Sequence, residues 1–354
     1  MYNQASQKPK LSPRGGIRRK AVAVPQGGLV RTGYLDSGNL LPLVCRPAVD
    51  DLDLADWAGA NLEFVEAELL RHGAILFRGF NVDSPPVFER FAIAVCPELF
   101  DENGEHPRET ISGKVYTPVF YPPDKQLLWH NENSFNHSWP TRVFFGCVRP
   151  ADEGGETPLV DSRRVFEMID PQIRKRFADK QIMYVRNYGE RMGLSWQKVF
   201  LTRDRTEVEH RCRAARMQFE WKSRDRLMTS SVRPAIVTHP GSGREVWFNQ
   251  AQHWHVSCLD AETRRVITES FGREDLPRNC YYGDGSPIED SVMDEILCAY
   301  RELESSFPWQ RGDVVVLDNL LTAHGRNPYS GVRTMLVALG AMKSYDEVQR
   351  PAWK

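Results

Sequence analysis

From residue 53 to 73 the chain reads DLADWAGANLEFVEAELLRHG, with apolar side chains recurring every three to four positions. That period lays them along one stripe of an α-helix, and Gly73 is a normal helix stop. AILFRGF follows as an apolar run of strand length. SPPVFERFAIAVCPELF returns to helical spacing, with Ser84 placed to cap it and prolines in its first turn. From Val115 onward short strand patterns dominate: KVYTPVFYP, LLWHNENSF, TRVFFGCV and TPLVD. Residues from about 163 to 230 read as mostly helical, strands return at PAIVTHP and EVWFNQ, and a helical pair spans about 260–306. The chain closes with GDVVVLDNLLTAHGR and RTMLVALGAM. Strands on both sides of the helical stretches, without regular βαβ alternation, predict an α+β fold: an antiparallel β core with helices inserted and packed outside. No Pro/Ser-rich linker interrupts it, so 36–354 reads as a single domain. Residues 1–35 open on MYNQASQKPKLSPRGGIRRK, a polar basic stretch without the apolar core of a secretory signal, and are predicted to be a disordered arm.

Composition narrows the class. Net charge is -1 over 354 residues, which argues against a protein that binds a nucleic-acid backbone. No apolar run reaches the length of a membrane span. The seven cysteines are scattered and never spaced as CxxC, which suits reduced thiols in a cytoplasm and excludes a zinc knuckle.

The chemistry concentrates in LLWHNENSF, residues 127–135. On a regular strand His130, Glu132 and Ser134 share one face, while Trp129, Asn131, Asn133 and Phe135 take the other. Two ligands do not make a metal site. His324 lies between a buried strand pattern and the turn-rich GRNPYSGVR, so it is placed at a strand end. If the core is a jelly roll, both segments reach one mouth. His130, Glu132 and His324 then make two imidazoles and one carboxylate, the facial set with open positions that suits non-haem Fe(II) and O2. EGGETPLVDSR supplies Thr157 after a glycine turn, and HGRNPYSGVR supplies Arg333 on the strand after His324. A dicarboxylate cosubstrate wants such a guanidinium fork with a hydroxyl helper.

These pieces, with HGAILFRGF, WPTRVFFGCVRPADEGGETPLVDSR, YYGDGSPIE and WQRGDVVVLDN, resemble the TauD/TfdA family of Fe(II)/2-oxoglutarate-dependent dioxygenases, and within it the SyrP-like branch. The resemblance spans roughly residues 40 to 342. It implies a double-stranded β-helix (jelly-roll) core. His130, Glu132 and His324 match the iron triad, Thr157 the threonine that hydrogen-bonds 2-oxoglutarate, and Arg333 the arginine that pairs with its distal carboxylate. It also implies oxidation of an amino acid, free or tethered to a carrier protein of a nonribosomal peptide synthetase, in antibiotic biosynthesis. Many members carry aspartate where this chain has Glu132. Related halogenases carry a small residue there, so Glu132 argues against halogenation. The taurine enzyme has a second arginine four residues past the cosubstrate arginine; here that position is Val337, which argues against a sulfonate substrate.

Other positions keep two readings. Arg326 either faces the mouth as a substrate-side charge or anchors the turn. Asn249 either contacts substrate or caps the turn after VWFNQ. His253 and His255, in HWH, read as surface or lid histidines. The competing function is a non-catalytic jelly-roll binding module; anaerobic Fe(II) with 2-oxoglutarate gives a visible charge-transfer band only with the enzyme.

Overall fold

The computed structural model describes residues 28–35, 40–100, 109–189, 194–222, 225–272 and 275–348. Residues 1–27 of the expected arm lie outside that set. Val30–Gly33 is a strand paired antiparallel with Leu43–Pro47, so the arm does not extend to residue 35.

The main sheet has eight strands in the order 30–33, 43–47, 74–77, 314–318, 138–149, 334–344, 115–116 and 110–112. Strand alternation splits its side chains cleanly. Ile75, Phe77, Phe144, Val314, Val316, Leu336 and Ala338 face outward and pack under the helices Leu54–Ala60, Leu62–His72 and Pro85–Val95. The fully buried rings of Phe88, Phe91 and Phe144 anchor that layer, each stabilising by roughly 1.5–3 kcal/mol through burial. The first two of these helices were expected as one. Asn61 divides them, while Gly73 ends the second in the left-handed conformation, φ 81°.

The inward face of the main sheet carries Leu76, Val143, Cys147, Val315, Leu317, Met335, Val337 and Leu339. Across from it lies a three-stranded antiparallel sheet in the order Leu127–His130, Thr322–Arg326, Leu159–Asp161. Leu159 packs with the inward set, and the Phe145 ring sits 5.0 Å from the ring of His324. The two sheets thus enclose a jelly-roll interior. The outer face of the small sheet, Trp129, Val160 and Ala323, packs against the helical layer that includes Tyr300 of Asp290–Leu303.

The segment 163–230 departs from expectation. After the helices Ser162–Met168 and Pro171–Lys180 it builds strands Ile182–Tyr188, Gln218–Lys222 and Arg226–Arg233. With Arg278–Tyr282 these form a four-stranded antiparallel sheet. Helical segments around Trp196–Val199 and Arg205–Ala214 obscured them in the sequence, and the alternation of Ile182, Tyr184 and Tyr188 is the signal that marks the first strand. Within 260–306 the helices Ala261–Ser270 and Asp290–Leu303 are present, with that fourth strand between them.

Candidate active site

The strand carrying His130 ends at His130. Glu132 follows in a turn, with Asn133 in the left-handed region (φ 57°) and Ser134 N–H bonded to the Asn131 carbonyl at 3.2 Å. The carboxylate therefore joins the imidazole through a turn, not through strand alternation as expected. His324 is the middle residue of its strand, fully inside the sheet, and pairs in register with His130. The strand-end placement is corrected accordingly. Its Nε2 lies 3.6 Å from Glu132 Oε2, and His130 Nε2 lies 3.8 Å from the same oxygen. Among the described residues these three form the cluster able to hold a metal ion.

The protonation state suits that role. His130 Nδ1 bonds the Leu128 carbonyl at 3.0 Å, so that nitrogen carries the hydrogen and Nε2 keeps its lone pair. Burial, then the neighbouring His324, holds the His130 pKa well below the usual histidine value. A neutral imidazole is the ligating form. His324 Nδ1 is buried without a hydrogen-bond partner, which is compatible with Nε2 as its working atom. Two imidazole nitrogens and a carboxylate oxygen converging on one point fit an Fe(II) ion with positions left open.

Residues that the sequence reading passed over hold this geometry. Asn319, wholly buried in the turn after Val314–Asp318, accepts from the Glu132 N–H at 2.7 Å and donates to the Glu132 carbonyl at 2.9 Å and the Pro140 carbonyl at 2.8 Å. Asn131 points away from the triad, as expected, donating to Ser162 Oγ and the Asn319 carbonyl. The short helix Ala251–Trp254 and the residue before it secure the open edge of the His130 strand. Gln250 donates to the Asn131 carbonyl, Gln252 to the Trp129 carbonyl, and His253 Nε2 bonds the Leu128 carbonyl at 2.7 Å. The His253 ring stands 4.6 Å from the His130 ring. His253 is thus no surface or lid residue. His255 caps the turn Val256–Cys258 through its ring nitrogen. An edge strand with unpaired carbonyls needs such partners, but nothing in NQAQHW specifies them without the fold.

Asn319→Ala is expected to destabilise the fold by about 3 kcal/mol, since a buried N–H and two carbonyls lose their partner. Fe(II) affinity should fall on the order of 10–100-fold, the usual scale for residues that orient ligands. Urea unfolding and an anaerobic Fe(II) titration measure the two effects; unchanged affinity would remove Asn319 from the site.

Thr157 is buried, and its Oγ accepts from the Trp309 indole N–H at 3.1 Å, which leaves the hydroxyl hydrogen to give to another group. Arg333 lies one residue before the strand Thr334–Ser344, not on it. Its Nε donates to the Gly155 carbonyl at 3.1 Å. Gly155 has φ +74°, and a Cβ there would stand 3.1 Å from both Cδ and Nε of Arg333, so a side chain at 155 would crowd the guanidinium. Among the described residues no carboxylate pairs with Arg333. Burial first, then repulsion from Arg326, brings its pKa down to about 10. A desolvated guanidinium beside an oriented hydroxyl fits the distal carboxylate of a dicarboxylate.

Arg326 shares the inward row with His324, yet its guanidinium donates to the carbonyls of Pro122 at 2.7 Å and Pro123 at 2.8 Å. These are the bonds of an anchor for the 121–123 loop. Asn249 is fully buried, donating to the Ala235 carbonyl and accepting from the Ala251 N–H. Its contacts are those of the turn cap, and the substrate reading is withdrawn. Val337 points into the apolar interior.

A profile of the family described as taurine catabolism dioxygenase TauD, TfdA family matches residues 39–339. The dapdiamide synthesis protein DdaC of Enterobacter agglomerans is 37% identical over 311 residues, covering 86% of this chain and 94% of its own length. A clavaminate synthase-like protein of Arabidopsis thaliana is 31% identical, covering 78% of this chain and 84% of its own length. Among solved structures, PvcB from Pseudomonas aeruginosa aligns with a TM-score of 0.54 at 14% identity, covering 94% of this chain and 99% of that one. That likeness shows the shared fold. Among the described residues no helix is long and apolar enough to cross a membrane.

Proposed function

The chain belongs to the TauD/TfdA family of dioxygenases, and from that premise we propose that it is an Fe(II)/2-oxoglutarate-dependent oxygenase acting on an amino acid in natural-product biosynthesis. The observation that carries this is the convergence of His130 Nε2 and His324 Nε2 on one oxygen of Glu132. When bound, iron with 2-oxoglutarate and O2 supplies the oxidising power, coupling decarboxylation of the cosubstrate to oxidation of a C–H bond. His130, Glu132 and His324 would hold the metal. Arg333 grips the distal carboxylate of 2-oxoglutarate, and Thr157, its oxygen already engaged by Trp309, donates its hydrogen to the same group. Phe145, against His324, keeps the space beside the ligands apolar and so helps to exclude water.

The substrate class is supported by the relatives: DdaC is named for dapdiamide synthesis, and PvcB is described as an oxygenase from an isonitrile synthetic pathway. The SyrP-like motifs point the same way. Val337, where a sulfonate would want a guanidinium, supports a substrate other than taurine. A thioester on a carrier protein, lacking a carboxylate charge, suits such a site as well as a free amino acid does. The free cysteines support a reducing, cytoplasmic setting.

The experiment offers the enzyme free amino acids, the same residues loaded on carrier protein, and taurine, and couples succinate release to a mass shift of the substrate. Turnover of an amino acid in either form, ahead of taurine, supports the proposal. Preference for taurine would sink the substrate class, and absence of both succinate and the charge-transfer band would favour the binding module. Thr157→Val is expected to weaken 2-oxoglutarate binding by on the order of 1 kcal/mol, the worth of one hydrogen bond, measured by titrating that band.

A further inference from the structure

Two stretches of the chain without a part in the site so far, HGAILFRGF and WQRGDVVVLDN, meet at one buried ion pair. The strands Ala74–Phe77 and Val314–Asp318 run antiparallel with Phe77 opposite Val314, so Arg78 and Asp313, just beyond them, come face to face. Arg78 Nε lies 3.0 Å from Asp313 Oδ1 and its Nη2 lies 2.7 Å from Oδ2, the two-pronged geometry of a strong pair. Both residues are buried.

The pair is built to hold a loop. Residues 306–310 belong to no helix or strand. Arg78 Nη2 also donates to the Pro308 carbonyl at 2.9 Å, and its guanidinium lies 5.8 Å from the centre of the Phe307 ring. Asp313 Oδ2 accepts from the Gln310 N–H at 2.8 Å. The residues on either side of Trp309 are therefore both tied to the pair. Trp309 packs on Phe307 within the inward apolar set, and its indole N–H reaches Thr157 Oγ at 3.1 Å. Ser305 and Leu159 exchange backbone hydrogen bonds of 2.8 and 2.9 Å, so 305–309 grips the 157–159 stretch at both ends. Leu159 in turn pairs with His324.

A hydroxyl hydrogen rotates to suit its surroundings unless its oxygen is already engaged. With one lone pair of Thr157 Oγ occupied by the Trp309 N–H, the hydroxyl hydrogen is directed to another acceptor. A buried charge pair is costly unless its remaining hydrogen-bonding positions are filled. Here they are filled by the backbone of the loop that carries the indole. We infer that Trp309 is a positioning residue for 2-oxoglutarate, acting through the Thr157 hydroxyl, and that Arg78 and Asp313 are the lock that keeps its indole in place. This rests on the oxygenase reading.

Anaerobic titration of the charge-transfer band with 2-oxoglutarate tests it, with Fe(II) affinity and the circular dichroism of each variant measured alongside. Trp309→Phe removes the N–H and keeps a ring. It should weaken 2-oxoglutarate binding roughly 3- to 10-fold, the worth of one hydrogen bond, and leave Fe(II) affinity unchanged. Arg78→Lys keeps the charge without the fork and should weaken binding by a similar factor. Should that variant fail to fold, Asp313→Asn, which keeps the shape and weakens the pair, replaces it. Coupling identifies the route: in a Thr157→Val background each substitution should cost less than about twofold more. Losses that add in full in that background, or that are matched by loss of Fe(II) affinity, would show a general loosening of the fold and overturn the inference. A wild type that binds 2-oxoglutarate while the variants bind it equally well would overturn the positioning alone. A wild type that gives no band would overturn the oxygenase reading itself, and the positioning with it.

Discussion

His130→Ala, Glu132→Ala and His324→Ala are each expected to abolish succinate release and to lose Fe(II) at concentrations that saturate the wild type. Three protein ligands leave no spare. Glu132 and His324 are buried and His130 half-buried, and among the described residues no further acid joins the cluster, so a vacated position is not refilled. Backbone constraint sharpens the effect at Glu132. Its N–H and C=O are both held by Asn319, so the turn cannot slide to compensate for a missing or shortened arm. Glu132→Asp, one methylene shorter, is therefore expected to bind iron more weakly although aspartate serves other family members. Bound iron measured in purified, folded variants, alongside succinate release, checks the set. Wild-type activity in any one alanine variant would remove that residue from the triad.

The parts of this protein that were legible in its sequence are those where one residue type answers to one physical demand. A period of three to four ending at Gly73 marks a helix, and the continuous apolar run in VVVLD marks a strand with two buried faces. His130 stood out because a polar side chain inside an apolar strand is costly unless used. What failed did so where contacts between distant segments decide. The glutamate reaches the histidines through a turn locked by Asn319, 187 positions away. His253 in HWH looked like a loop histidine because its partner, the Leu128 carbonyl, is 125 positions away. The strands in 182–233 were lost because helical pieces dilute their alternation, and because their fourth strand comes from Arg278–Tyr282. Asn249 and Arg326 show the converse: polar residues near site motifs whose bonds turn out to hold backbone.

Arg333→Ala is expected to raise the 2-oxoglutarate requirement steeply while barely disturbing the fold. In the protein Arg333 donates one hydrogen bond, 3.1 Å to the Gly155 carbonyl, and pairs with no carboxylate among the described residues. Its removal therefore costs the fold on the order of 1 kcal/mol. The cosubstrate loses far more. Even with its pKa brought down to about 10 the guanidinium is protonated at neutral pH, and in its half-buried position it is only partly served by water. A carboxylate docked there regains for both charges what burial took away. Losing one side of such a pair costs on the order of 2–5 kcal/mol, or about 30- to several thousand-fold in affinity. Arg333→Lys should fall between, since a point charge replaces a fork. Anaerobic titration of the charge-transfer band gives the 2-oxoglutarate affinity, and KM for 2-oxoglutarate gives its kinetic counterpart. Comparison with Thr157→Val is the sharper check: the arginine variant must be much the worse of the two. If the valine variant proved the more damaged, the hydroxyl and not the guanidinium would be the main anchor, and the orientation assigned to the cosubstrate would have to be reversed.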